Sequence, residues 1–227
     1  MFSLTNADAF RRWAAGVSLV LAPLCLLLGM IVDPLEPGID DPLGYADNPV
    51  ATGISATLLH YAWVLWVPGV IGMVHLVRRR GVVLANVAGA VTVLGLINFS
   101  SLMISDFFDI AAYRMFTVEE AHKLMNDAAQ PAMIIAWQVP GMIGSFLGLV
   151  LVAVAYAWGG RAGWWFPAAV PAGIVIWLVG AANWNLWLGY SGPAILIAAF
   201  GAVGVAMIRM SDEEWNPGRR QAAVPAV

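Results

Sequence analysis

Two aspartates stand one helical turn apart in the stretch "DFFD", as Asp106 and Asp109. Partly buried carboxylates at that spacing repel each other as anions, so one tends to keep its proton at neutral pH and can act as a general acid. A salt bridge to Arg114 or Lys123 would make the pair structural instead, and full solvation would make it inert. Few other residues offer chemistry. "EEAH" holds Glu119 and His122 at the spacing of carboxylate di-metal sites, but those sites need the motif twice with two further glutamates, and here it occurs once. No metal is expected. His60 and His75 share one apolar run, where about 22 Å would separate them along a helix, too far to hold one haem. No cofactor is expected either. Phosphate-binding glycine loops, G-x-S-x-G elbows and H-E-x-x-H motifs do not occur.

What must position these residues is set by composition. Of 227 residues, 61% are hydrophobic and only 11% charged, and the mean hydropathy is +0.79. A globular chain carries roughly twice that share of charge. Charges are nearly absent from six stretches of the length that a bilayer core demands, near 13–32, 54–77, 81–105, 130–157, 164–187 and 190–209. The first is too long for a signal-peptide core and lacks a cleavage signal, so it counts as a span. The expected fold is an all-α polytopic membrane protein, a single six-helix domain over 13–209 with loops at 33–53, 106–129 and 187–190. A disordered tail is expected from 210 to 227. Cys25 is the one cysteine, so no internal disulfide forms.

Arginine sets the expected orientation. With the N-terminus in the cytoplasm, Arg11, Arg12, Arg78, Arg79, Arg80, Arg161, Arg209, Arg219 and Arg220 fall inside, and only Arg114 and Lys123 outside. That assigns the chain to a cell (inner) membrane with both termini cytoplasmic. It also leaves no basic surface for nucleic acid. The outer face is acidic, and "DPLEPGIDDPLGYADNP" in the first external loop lacks the spacing of a calcium loop. In the second, "TVEEAH" starts a short amphipathic surface helix, with Thr117 as N-cap and Glu120 as its capping-box partner.

Polar residues within the spans gather in their outer halves, and Asn98, Ser101, Ser105 and Asp109 repeat at helical spacing along one face of the third span. Of 11 tryptophans, most fit an interfacial belt, among them Trp13, Trp158, Trp164, Trp165, Trp184 and Trp187, whereas Trp63 and Trp137 lie deeper. The expected site is a polar cavity opening outward, lined by His60, Trp63, Asn98, Ser101, Trp137, Gln138, Asn183 and Asn185. It would take a small or lipophilic molecule. Two alternatives stand beside it: an intramembrane enzyme acting on an isoprenoid-like substrate, with Asp106 or Asp109 as acid and Trp63 and Trp137 sheltering a cation, and an accessory subunit of a membrane complex whose polar residues only join helices. Expected partners are membrane lipids, a lipophilic small molecule and further copies or other subunits.

One phrase recurs, "VPGVIG" at 67–72 and "VPGMIG" at 139–144. Each proline strips a helix of one amide, freeing the carbonyls of Val64 and Ala136, and the glycines invite close packing. The expectation is two proline-kinked helices, the second and fourth spans, in duplicated hairpins formed by spans 2–3 and 4–5.

Overall fold

The computed structural model describes residues 6–34, 43–183 and 185–217. Trp184, residues 35–42 of the proline- and aspartate-rich loop and the tail from 218 lie outside the described residues, with the expectations placed on them. The chain forms α1 (Ala7–Val32), α2 (Gly44–Asp47), α3 (Pro49–Leu76), α4 (Val82–Ser101), α5 (Ser105–Met115), α6 (Val118–Ala128), α7 (Pro131–Met133), α8 (Val139–Trp158), α9 (Trp165–Ala182), α10 (Leu186–Arg209) and α11 (Asp212–Trp215). A 3₁₀ turn at Leu102–Ile104 joins α4 to α5, and a π turn at Ile134–Gln138 joins α7 to α8.

Among the described residues, six continuous helical runs are long and apolar enough to cross a membrane: Ala7–Val32, Pro49–Leu76, Val82–Met115, Pro131–Trp158, Trp165–Ala182 and Leu186–Arg209. The fold is thus the expected all-α six-helix bundle. In hydrocarbon the backbone must satisfy itself, and helices do so within one segment. Side chains such as Val83, Leu94, Ile135 and Trp187 stand well exposed on the outside. In water that surface would drive aggregation, and in lipid it is the belt that meets acyl chains.

The spans pack in ring order, α1 on α3, α3 on α4, α4 on α8, α8 on α9, α9 on α10 and α10 back on α1, with α1–α3, α4–α8 and α9–α10 the most extensive joins after which α10–α1 follows closely. Glycine sets these joins. Gly95 approaches the backbone of Gly144 so closely that a Cβ on it would lie 2.4 Å from the Gly144 carbonyl carbon, and Gly180 stands the same way against Gly189. Gly16 faces Gly204 and Ile208 across the α1–α10 seam. Lipid offers helices no hydrophobic drive to associate, so close van der Waals contact between small residues supplies it.

The repeated phrase takes part in two of these seams. Gly69 and Gly72 of α3 receive Leu19 and Ala15 of α1, while Gly141 and Gly144 of α8 receive Phe99 and Gly95 of α4. Each phrase packs on the span before its own, and the α3–α4 and α8–α9 joins within the expected hairpins are present but less extensive. Nor do the two prolines act alike. Pro68 sits inside an unbroken α-helix, whereas Pro140 follows the π turn, in which the Val139 amide donates to Ile134 O.

Two boundaries differ from the sequence reading. α9 ends at Ala182 with Asn183 as its C-cap and α10 begins at Leu186 with Asn185 as its N-cap, so the last break between spans precedes the expected 187–190. And residues 211–217 are not a disordered tail. Ser211 and Glu214 form a capping box on α11, and Trp215 is buried against the end of the bundle, where a Gly72 Cβ would come within 3.5 Å of its ring.

Candidate functional site

At the arginine-bearing end the chain is closed by α11. Arg12, almost fully buried, pairs with Asp212 at 3.1 Å and donates to Met210 O. His75 Nε2 lies 3.0 Å from Trp215 O, Arg78 donates to the same oxygen, and the His75 and Trp215 rings stack at 4.7 Å. Arg161 Nε donates to Leu76 O at 2.7 Å. The arginines here cap carbonyls and close the end of the bundle.

The bundle centre is filled with aromatic rings. Trp66 packs edge-on to Phe200, which meets Phe166, which meets Tyr156. One turn away Trp63, buried, contacts Phe99, Phe146 and Trp177 from three other helices, with ring centres 4.6 to 6.1 Å apart. Edge-to-face rings of this kind contribute beyond the area they bury. Trp63 is a packing residue in this geometry.

The other residues singled out in the sequence divide into separate places. Trp137 Nε1 donates to Asn98 O at 3.1 Å and Ser101 Oγ at 2.7 Å, so Asn98, Ser101 and Trp137 do come together where the π turn meets α4. Gln138, half-buried, ends that turn. His60 is exposed, with Nδ1 3.2 Å from Ser100 O. Asn183 spends its amide on Val179 O, and Asn185 accepts from Leu188 N as N-cap of α10. These two serve a turn.

Ser105 and Asp109 part company with Asn98 and Ser101. Three residues at about 120° each, in place of about 100°, turn everything downstream by roughly 60°, and the 3₁₀ stretch Leu102–Ile104 does this to α5. Ser105 and Asp109 consequently face a cavity of about 650 Å³ between α5, α6 and α7. Its walls are otherwise apolar: Phe108, Met115, Phe116, Leu124, Met125 and Met133, with alanines between. That volume is in the range of small-molecule sites, which pair apolar walls with a few polar groups. Of the residues expected at a site, Asp109 is the one that lines this cavity.

Asp106 lies one turn back, with Ser105 Oγ donating to its Oδ1 at 3.3 Å. Nearby, half-buried Tyr45 of α2 feels three carboxylates. Burial first, then the charges of Asp33, Asp106 and Asp109, push its hydroxyl far above the ordinary range, so it remains a neutral donor. Among the described residues no group of three metal-ligating side chains converges. The capping box on α6 is as the sequence implied: Glu120 N donates to Thr117 Oγ1, and Thr117 N to Glu120 Oε2 at 3.0 Å.

The sequence reading overlooked the cavity walls. Their signal was available in α6, whose Ala121, Leu124, Met125 and Ala128 recur at helical spacing on one side of a segment otherwise polar. An apolar stripe on a surface helix requires something to face, and here Leu124, Met125 and Ala128 line the cavity opposite α5 and Met133. No protein-family model, curated protein or solved structure matches this chain. Fold and site together define a class, a six-span helical membrane protein whose arch from α5 to α7 borders a half-open apolar cavity.

Proposed function

We propose that this protein binds a lipophilic molecule in the cavity beneath the α5–α6–α7 arch, and that the arch lies on the outer side of a cell (inner) membrane with both termini in the cytoplasm. The observation that carries the reading is the cavity itself, about 650 Å³ with a mostly apolar wall and polar groups at Ser105 and Asp109. The orientation rests on the arginine bias, nine inside against two basic residues outside.

Acid catalysis on a lipophilic substrate is the second reading, favoured by the same carboxylate at the cavity wall. Its supposed aromatic shelter lies elsewhere, since Trp63 and Trp137 are not among the residues that line the cavity. Binding therefore takes precedence.

The test is native mass spectrometry of the protein released from membranes. A copurifying lipid or small molecule is expected in the parent protein and lost in Ala128→Trp, which places an indole in the cavity. Equal ligand occupancy in both would reject this cavity as the site. For the orientation, single cysteines at Thr117 and Ser211 in a Cys25→Ala background are treated with an impermeant maleimide on intact cells. Labelling at 211 and not 117 would overturn it.

A further inference from the structure

We infer that the cavity beneath the arch selects a cationic amphiphile, with the apolar body between α5 and α6 and the positive head beside Asp109. This rests on the binding reading above and adds the charge of the ligand. Among the described residues Asp109 is the one ionisable residue in the cavity wall. The cations nearest in the chain are occupied or directed elsewhere. Arg114 Nε donates to Ala46 O at 3.2 Å, Lys123 lines an adjoining groove with Glu120 and Asp127 that shares Phe116 and Leu124 with the cavity, and the His122 ring packs edge-on to Tyr113.

Among the described residues no basic side chain lines the wall beside Asp109, and nothing in the wall would hold an anion. Asp106 and Asp33 extend the negative field beyond the cavity, since both act with Asp109 on the Tyr45 hydroxyl. A carboxylate bordering apolar walls attracts a monovalent cation more strongly than one in open water, because the local dielectric is lower. The aromatic rings of Phe108 and Phe116 add faces on which a diffuse cation can rest. A neutral lipid would leave the carboxylate without a counter-charge at the apolar boundary, and an anionic lipid would be repelled.

The experiment compares two probes of the same shape and opposite charge, radiolabelled tetraphenylphosphonium and tetraphenylborate, binding to the protein of residues 1–227 in phosphatidylcholine nanodiscs, with empty nanodiscs as background. The expected result is saturable binding of tetraphenylphosphonium alone, weakened about tenfold or more in Asp109→Asn, and abolished in Ala128→Trp. Circular dichroism and thermal unfolding of Asp109→Asn verify that it folds as the parent does. If both probes bind and Ala128→Trp abolishes both, while Asp109→Asn changes neither, the cavity is a site and the charge inference is overturned. If neither probe binds saturably, or Ala128→Trp leaves binding intact, the cavity reading falls and this inference with it.

Discussion

Thr117 and Ser211 perform one task at opposite ends of the molecule. Each hydroxyl caps a helix, and the glutamate three residues on returns the favour, Glu120 Oε2 accepting from Thr117 N at 3.0 Å and Glu214 Oε2 from Ser211 N at 2.7 Å. Those hydrogen bonds, backbone first and hydroxyl second, hold both carboxyls below the usual glutamate value near 4.5. A depressed folded value means that the stabilisation is complete above that usual value and is lost as pH falls through the folded one. Amide exchange at 119–121 and 212–214 should therefore accelerate on acidification below about pH 4.5, and Glu120→Gln should leave the 119–121 rates independent of pH over that window after correction for intrinsic exchange. Trp215 makes a second residue-scale prediction. Replacing a buried tryptophan by alanine costs about 3 kcal/mol, so Trp215→Ala should lower the unfolding midpoint, whereas the exposed Trp187→Ala should leave it nearly unchanged. The Thr117 cap was legible in the sequence because a cap needs only four consecutive residues. Trp215 was not, because its partners Gly72 and His75 lie some 140 positions away and a polar, proline-containing stretch carries no mark of them.

Between elements, the joins are set where backbones touch. A methyl on Gly95 would meet the Gly144 backbone at 2.4 Å, and no flexible side chain is there to give way. Overpacking of this kind costs about 1 to 3 kcal/mol, so Gly95→Ala should loosen α4 from α8, lowering thermal stability in detergent and speeding proteolysis in the arch. Gly201→Ala is the control, since nothing lies within 4 Å of its missing Cβ. The paired Pro-Gly phrase told correctly that two helices carry a packing motif. It could not tell which neighbour each would take, because proline only withdraws an amide and leaves the choice of partner to contacts from elsewhere. At Pro140 the turn ahead widens to π geometry while Trp137 reaches Ser101 and Asn98; Pro68 has no such indole one turn before it and stays α-helical. The third span departs from its sequence pattern for a related reason. A single 3₁₀ turn at Leu102–Ile104 splits a face that looked continuous in the sequence, sending Asn98 and Ser101 to Trp137 and Ser105 and Asp109 to the cavity.

On the scale of the whole bundle, the ring is closed by one long-range seam, α1 against α10, and is thinnest between α8 and α9. Hydropathy alone revealed six spans, but it carries no information on which span meets which, because every lipid-facing surface is equally apolar. Ring order emerges from glycines that a linear reading sees only as scattered small residues. That arrangement makes a firm prediction about continuity of the chain. α9 and α10 hold each other through Gly180–Gly189 and Gly173–Gly192, and α10 holds α1 through Gly204 and Gly16. The turn that connects α8 to α9 adds the Arg161 Nε bond to Leu76 O, and α11 adds the Arg12–Asp212 pair at 3.1 Å. A helix pair inserts as a unit and then docks through such seams. Two coexpressed fragments, 1–160 and 161–227, should therefore assemble in the membrane and copurify through a tag on either one. Gly204→Leu in the second fragment would force the α1–α10 seam apart against Gly16 O, which already lies 2.4 Å from the position of a Cβ. The second fragment should then fail to copurify while still inserting. Undiminished copurification of the Gly204→Leu fragment would mean that the α8–α9 side holds the ring instead, and the closure described by α1 and α10 would be discarded.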